Sequence, residues 1–77
     1  EHDCKVGAFS HVAPGAVLCG GVTLGEHVFV GAGAVILPGV VIASHTVIGA
    51  NALVDKDINE PCTVYGIRAA VQQRSSL

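Results

Sequence analysis

Four histidines stand out in a chain with few polar side chains: His2, His11, His27 and His45. An imidazole titrates near neutrality and can serve as a general base or a metal ligand. His2 lies between two acids, Glu1 and Asp3, and a carboxylate beside a histidine can orient the ring and stabilise imidazolium. The step from His27 to His45 equals the step from His2 to Gly20, and the step from His2 to His11 is half of it. Cys4, Cys19 and Cys62 form no C-x-x-C pair, so neither a disulfide framework nor a zinc knuckle is indicated. A reducing, cytoplasmic setting is the expectation. What the histidine spacings mean depends on the elements that carry them.

Those elements follow from a six-residue period. From Val6 the chain divides into nine hexads, and the first residue of each is aliphatic: Val6, Val12, Leu18, Leu24, Val30, Ile36, Ile42, Ile48 and Val54. The fifth place is small or apolar throughout. The fourth place reads Asp3, Phe9, Gly15, Gly21, His27, Gly33, Gly39, His45, Asn51 and Asp57. All but Phe9 are residues that tolerate positive φ. A short extended segment and a tight turn, repeated every hexad, fit neither an amphipathic helix nor a half-buried antiparallel strand. They fit a parallel β-solenoid with three short strands, and so three hexads, per coil. Ala16, Ala34 and Ala52 then stack, as do Cys4, Val22, Val40 and Ile58. The expected fold is all-β, with about three coils over residues 1–59 and a short C-terminal extension over 60–77. Cys4 falls at the fifth place of a hexad that would begin before Glu1, so the repeat is expected to continue upstream.

Composition removes several alternatives. Four Lys and Arg against six Asp and Glu give a net charge of −2, which leaves no general electrostatic case for nucleic acid or an anionic membrane. Residues 28–54 carry no charged side chain, but their glycines, Pro38 and lack of a 3.6-residue stripe argue against a membrane helix. No signal peptide is visible. Three coils leave strand edges open and a thin core, so lateral self-association is expected.

On this scaffold the spacings acquire positions. His27 and His45 stack on adjacent coils at turn places, where backbone tolerance alone explains them and a cofactor or metal contact is the alternative. His2 and His11, half a coil apart, approach each other only if a second copy packs alongside. Gly20 lies one coil above His2, where its bare amide can serve an oxyanion or simply make a turn with Gly21. Pro14, Ala32 and Ala50 form one column of small residues. Cys4 and Cys19 occupy inward or adjacent places and read as small apolar residues rather than nucleophiles.

The hexad pattern over residues 6–59 resembles the hexapeptide repeat of left-handed parallel β-helix acyltransferases. Glu1 to Gly7 followed by Phe9 to Gly15 closely resembles the bacterial sialic acid O-acetyltransferase and UDP-4-amino-sugar N-acetyltransferase group. In that group a His-acid-Cys triplet opens the coils and a second His follows in a Ser-His-Val/Ile stretch, as His2-Asp3-Cys4 and Ser10-His11-Val12 do here. The resemblance implies a left-handed helix and a homotrimer that transfers acetyl from acetyl-CoA to an amino or hydroxyl group of a sugar or sugar nucleotide. It makes His2 the base and Asp3 its partner, and it points to Gly20 as the oxyanion donor. Carried over by position, His11, Ala32 and Ala50 would contact the coenzyme. No metal is implied, because the three-His pattern with H-x4-H of the trimeric β-helix carbonic anhydrases is missing.

The chain departs from the group where V-x-G-[NV]-P-A-[RK] is expected. Val64-Tyr65-Gly66-Ile67-Arg68-Ala69-Ala70 puts Arg68 in place of the proline. Arg68 and Arg74 read as solvated charges, with a coenzyme phosphate contact as the alternative. Similar enzymes hold the sugar nucleotide in a Rossmann-like N-terminal domain, and nothing here corresponds to it. The rival to the transferase reading is a β-solenoid that only trimerises a missing domain.

Overall fold

The computed structural model describes residues 3–66. Ten strands of two residues each follow the hexad period: β1 (Lys5–Val6), β2 (His11–Val12), β3 (Val17–Leu18), β4 (Thr23–Leu24), β5 (Phe29–Val30), β6 (Val35–Ile36), β7 (Val41–Ile42), β8 (Val47–Ile48), β9 (Leu53–Val54) and β10 (Thr63–Val64). Each pairs in parallel with the strand one coil away, which gives three faces. The first is β1-β4-β7, the second β2-β5-β8-β10 and the third β3-β6-β9. Register advances by three hexads per coil, as in Lys5↔Thr23↔Val41 and Val17↔Val35↔Leu53.

Three corners join the faces, and each is built from the third and fourth places of the hexads. The fourth residue has positive φ at Asp3, Phe9, Gly15, Gly21, His27, Gly33, Gly39, His45 and Asn51. The fifth amide donates back to the second carbonyl, as in Ala16 to Ala13 at 3.1 Å and Ala34 to Gly31 at 3.2 Å. A left-handed residue third in a four-residue turn defines type II, which also favours proline in second place. Pro14 and Pro38 stand there.

Phe9 departs from the expected residue types but not from the backbone, with φ at 62°. A left-handed residue with a Cβ costs roughly 1–2 kcal/mol. The Phe9 ring stacks on His27 at 5.0 Å, 15° from parallel, and such pairs contribute about 0.5–1.5 kcal/mol. A contact with the next coil offsets much of a local cost.

The core is the axial stack of first and fifth places. Leu24, Val30, Ile36, Ile42, Ile48 and Val54 point inward from the strands, and Val22, Val28, Ala34, Val40 and Ala52 from the corners; all are buried. Thr46 shares a column with Val28 and is also fully buried, yet its hydroxyl has no hydrogen-bond partner. Ser10, at the foot of that column, is fully used: its Oγ donates to the Gly25 carbonyl at 2.8 Å and accepts the Val28 amide at 3.0 Å. Sixth-place side chains face outward, and Val17, Phe29, Val41, Val47 and Leu53 are exposed.

The last coil corrects the expected columns. Ile58 bridges Ile42 instead of stacking on Val40, and Thr63 pairs with Val47. Asp57 does not take up the left-handed turn expected of it; its carboxylate accepts the Val41 amide at 2.9 Å. A side chain thus substitutes for a turn, the coil falls short of three full hexads, and β10 still joins the second face.

Two outcomes test this packing. Thr46→Val keeps the shape and removes a buried hydroxyl without a partner, which costs roughly 1–3 kcal/mol; it should raise the urea midpoint, and a lowered midpoint would contradict the burial. Gly31 has no room for a side chain. A Cβ there would stand 2.7 Å from the Ala50 nitrogen and 2.9 Å from the Ile48 oxygen, both backbone of the next coil. Gly31→Val should therefore cost at least about 1–3 kcal/mol in the same titration.

Candidate active site

The expected site residues fall into two groups. Asp3 and Gly20 share the third corner, where the third face returns to the first. Both are exposed, and the backbone φ of Asp3 is 61°. The Gly20 carbonyl accepts the Gly39 amide at 2.9 Å. Its own N–H has no acceptor among the described residues. His2, Glu1, Arg68 and Arg74 lie outside the described residues.

His11, Ala32 and Ala50 form the second group. His11 opens β2 on the second face, with its amide donating to the Val28 carbonyl at 2.8 Å and its ring stacked on Phe29 at 5.4 Å. Ala32 and Ala50 stand one above the other at the second corner, where that face turns into the third; both are exposed. The Ala32 carbonyl accepts the Asn51 amide at 2.9 Å. The third face therefore separates the two groups within one chain.

The third place of the hexad explains why these positions can hold a ligand. In the type II turn its N–H points out of the turn and has no intrinsic partner. At the first corner one such donor is consumed, because Ser44 Oγ accepts the Glu26 amide one coil below at 2.9 Å. At the second corner the residue above Ala32 is Ala50, which has no hydroxyl, and the Ala32 and Ala50 amides find no acceptor among the described residues. At the third corner Pro38 stands above Gly20, again without a hydroxyl. Open backbone donors thus stand at Gly20 on the third corner and in successive coils at Ala32 and Ala50 on the second, whereas at the first corner the capped Glu26 amide interrupts the row between Ala8 and Ser44. An extended amide-rich chain running along the axis fits that spacing, because paired strands repeat every 4.8 Å or so. The Ser44 cap escaped the reading of the sequence; its signal was a serine three hexads after Glu26, at a third place that Ala50 and Pro38 fill without a hydroxyl at the other two corners.

The remaining polar groups are accounted for separately. His27 and His45 stack as expected, 5.1 Å apart and 8° from parallel. Parallel rings aim their in-plane lone pairs side by side rather than at a common point. Among the described residues no three His, Cys, Asp or Glu side chains converge on a metal site. Cys4 and Cys19 are free and half-buried, with the Cys4 thiol donating to the Cys19 carbonyl at 3.1 Å, and Cys62 is free and exposed. No helix among the described residues is long and apolar enough to cross a membrane.

Comparisons with known proteins agree with this geometry. The family described as bacterial transferase hexapeptide (six repeats) matches residues 21–56. No curated protein sequence matches the chain. Among solved structures, the acetyltransferase domain of PglB from Neisseria gonorrhoeae FA1090 is similar at 38% identity and a TM-score of 0.82, over 84% of this chain and 32% of that one. The chain thus spans about a third of the length of that relative. Period, turn geometry and these likenesses together show that the chain is a left-handed parallel β-helix of transferase-type hexapeptide repeats, similar to that acetyltransferase domain.

Proposed function

We propose that the chain is the catalytic β-helix of an acetyl-CoA-dependent acetyltransferase. Its acceptor is an amino or hydroxyl group on a sugar or sugar nucleotide, and its site lies between subunits of a homotrimer. The observation that carries this reading is the set of open backbone donors beside small residues, Gly20 at one corner and Ala32 with Ala50 in successive coils at another. Similarity to an acetyltransferase domain supports acetyl as the group transferred.

Acetyl-CoA supplies an acetyl thioester, whose carbonyl carbon is the electrophile. His2, one coil below Gly20 by the repeat, takes the proton of the acceptor amine or hydroxyl as it attacks. Asp3, next in sequence, orients the imidazole and stabilises its charged form. The Gly20 N–H donates to the carbonyl oxygen as negative charge builds on it. Collapse of the tetrahedral intermediate breaks the C–S bond, and the CoA sulfur leaves as the thiol with the proton that His2 returns. Open donors at Ala32 and Ala50 hold the amides of the pantetheine arm.

Assembly completes the site. Because His11, Ala32 and Ala50 lie a face away from Asp3 and Gly20, both groups line one groove only when the second face of a neighbour packs beside the third corner. Exposed Phe29 and Val47 on that face provide apolar area for such packing. Three free cysteines accord with a cytoplasmic location.

Calorimetric titration of acetyl-CoA with sedimentation in the same buffer tests the reading. One saturable site per chain in a trimer is expected, whereas a trimer that ignores acetyl-CoA would favour a trimerisation scaffold. His2→Ala should keep the trimer and coenzyme binding but lower turnover of an amino-sugar nucleotide by roughly 10²–10⁴; unchanged turnover would remove His2 from the mechanism. Ala50→Ser should place a hydroxyl over Ala32 as Ser44 does over Glu26. The Ala32 amide should then exchange its hydrogen more slowly and acetyl-CoA should bind more weakly. Slower exchange with unaltered affinity would take Ala32 out of the coenzyme wall.

A further inference from the structure

The column that begins at Ala32 and Ala50 continues into the short last coil. Strand β10 stacks on β8 with Val64 beside Ile48, so Tyr65 comes to lie over Gly49 and Gly66 over Ala50. A Cβ on Gly49 would stand 3.5 Å from the Tyr65 Cα, and one on Gly66 would collide with the Ala50 carbonyl. In the coils below, the place Tyr65 takes is held by Ala13, Gly31 and Gly49. A bulky ring therefore stands at the end of a column with almost no side chain.

Among the described residues that ring has no stacking or hydrogen-bonding partner. It is 69% exposed. Each of the other exposed aromatic rings, Phe9 and Phe29, stacks on a histidine, and Tyr65 stacks on nothing among the described residues. Its height is also informative. Thr63 lies three strand spacings above His11 along β2-β5-β8-β10, or roughly 14 Å. From His11 upward the order is His11, the open Ala32 amide, the open Ala50 amide, and then Tyr65. A ligand with a reactive end, an extended amide-bearing arm and a planar end would meet these features in that sequence.

We propose that the Tyr65 ring is the platform on which the adenine of acetyl-CoA stacks. This rests on the acetyl-CoA reading above and adds to it the subsite for the far end of the coenzyme. A purine presents a π-face whatever its edge groups, so an exposed phenol ring can hold it by stacking alone.

The chain has one tyrosine and no tryptophan, so its intrinsic emission reports on Tyr65 directly. Wild type, Tyr65→Ala and Tyr65→Phe would each be titrated with acetyl-CoA and with S-acetyl-4′-phosphopantetheine, which has the reactive end and arm but no adenosine. Expected results are quenching of wild-type emission by acetyl-CoA but not by the truncated thioester, and a loss of acetyl-CoA affinity in Tyr65→Ala of about five- to hundredfold. Tyr65→Phe should keep the affinity, and the truncated thioester should bind all three chains alike. Unchanged acetyl-CoA affinity in Tyr65→Ala, or an equal loss for both ligands, would overturn the platform and leave the transferase reading standing. Wild type that binds neither thioester would end the transferase reading, and the platform with it.

Discussion

The structure depends on one backbone constraint, a residue in the left-handed region at every sixth position. The turn it creates folds a short strand back at a fixed angle, and three such turns return the chain to its starting azimuth. Only then can each strand donate to the coil above, as Lys5 does to Val22 and Thr23 to Val40. The same stacking brings successive coils so close that Gly31 has no space for a Cβ. Apolar first places then pile into an axial core without any long-range search for partners, since every contact is one coil away.

The constraint also generates the chemistry. A type II turn leaves one outward N–H per corner, so a solenoid of this kind carries three vertical rows of potential donors. Neighbouring side chains decide which of these donors stay open. Ser44 closes a donor at the first corner, whereas Ala50 and Pro38 leave theirs alone at the second and third. The proposed site thus relies on missing hydroxyls. This is why the candidate residues include an alanine pair and a glycine, which few chemical arguments would single out by type.

Much of this was legible before any coordinates. Nine aliphatic first places and a row of Gly, Asn, Asp and His set the period, and the period alone predicted the stacking of His27 on His45. Three features were not legible, each because a contact across coils outweighed the local residue. Phe9 accepts a left-handed backbone while its ring leans on His27. Asp57 gives up its turn to cap the Val41 amide, which shortens the last coil and moves Ile58 from Val40 to Ile42. Tyr65 looked like one letter of a C-terminal motif until the shortened coil set it over Gly49.

By itself the sequence determined the coil, its three-sided register and the places of its turns, because each follows from interactions within one hexad or between residues three hexads apart. It also marked His11, Gly20, Ala32 and Ala50 by position. The half-coil spacing of His2 and His11 likewise set Asp3 with Gly20 on a different side of the chain from His11. Only the tertiary structure decided which turn amides remain open, because an amide is closed by whichever side chain the next coil happens to bring over it.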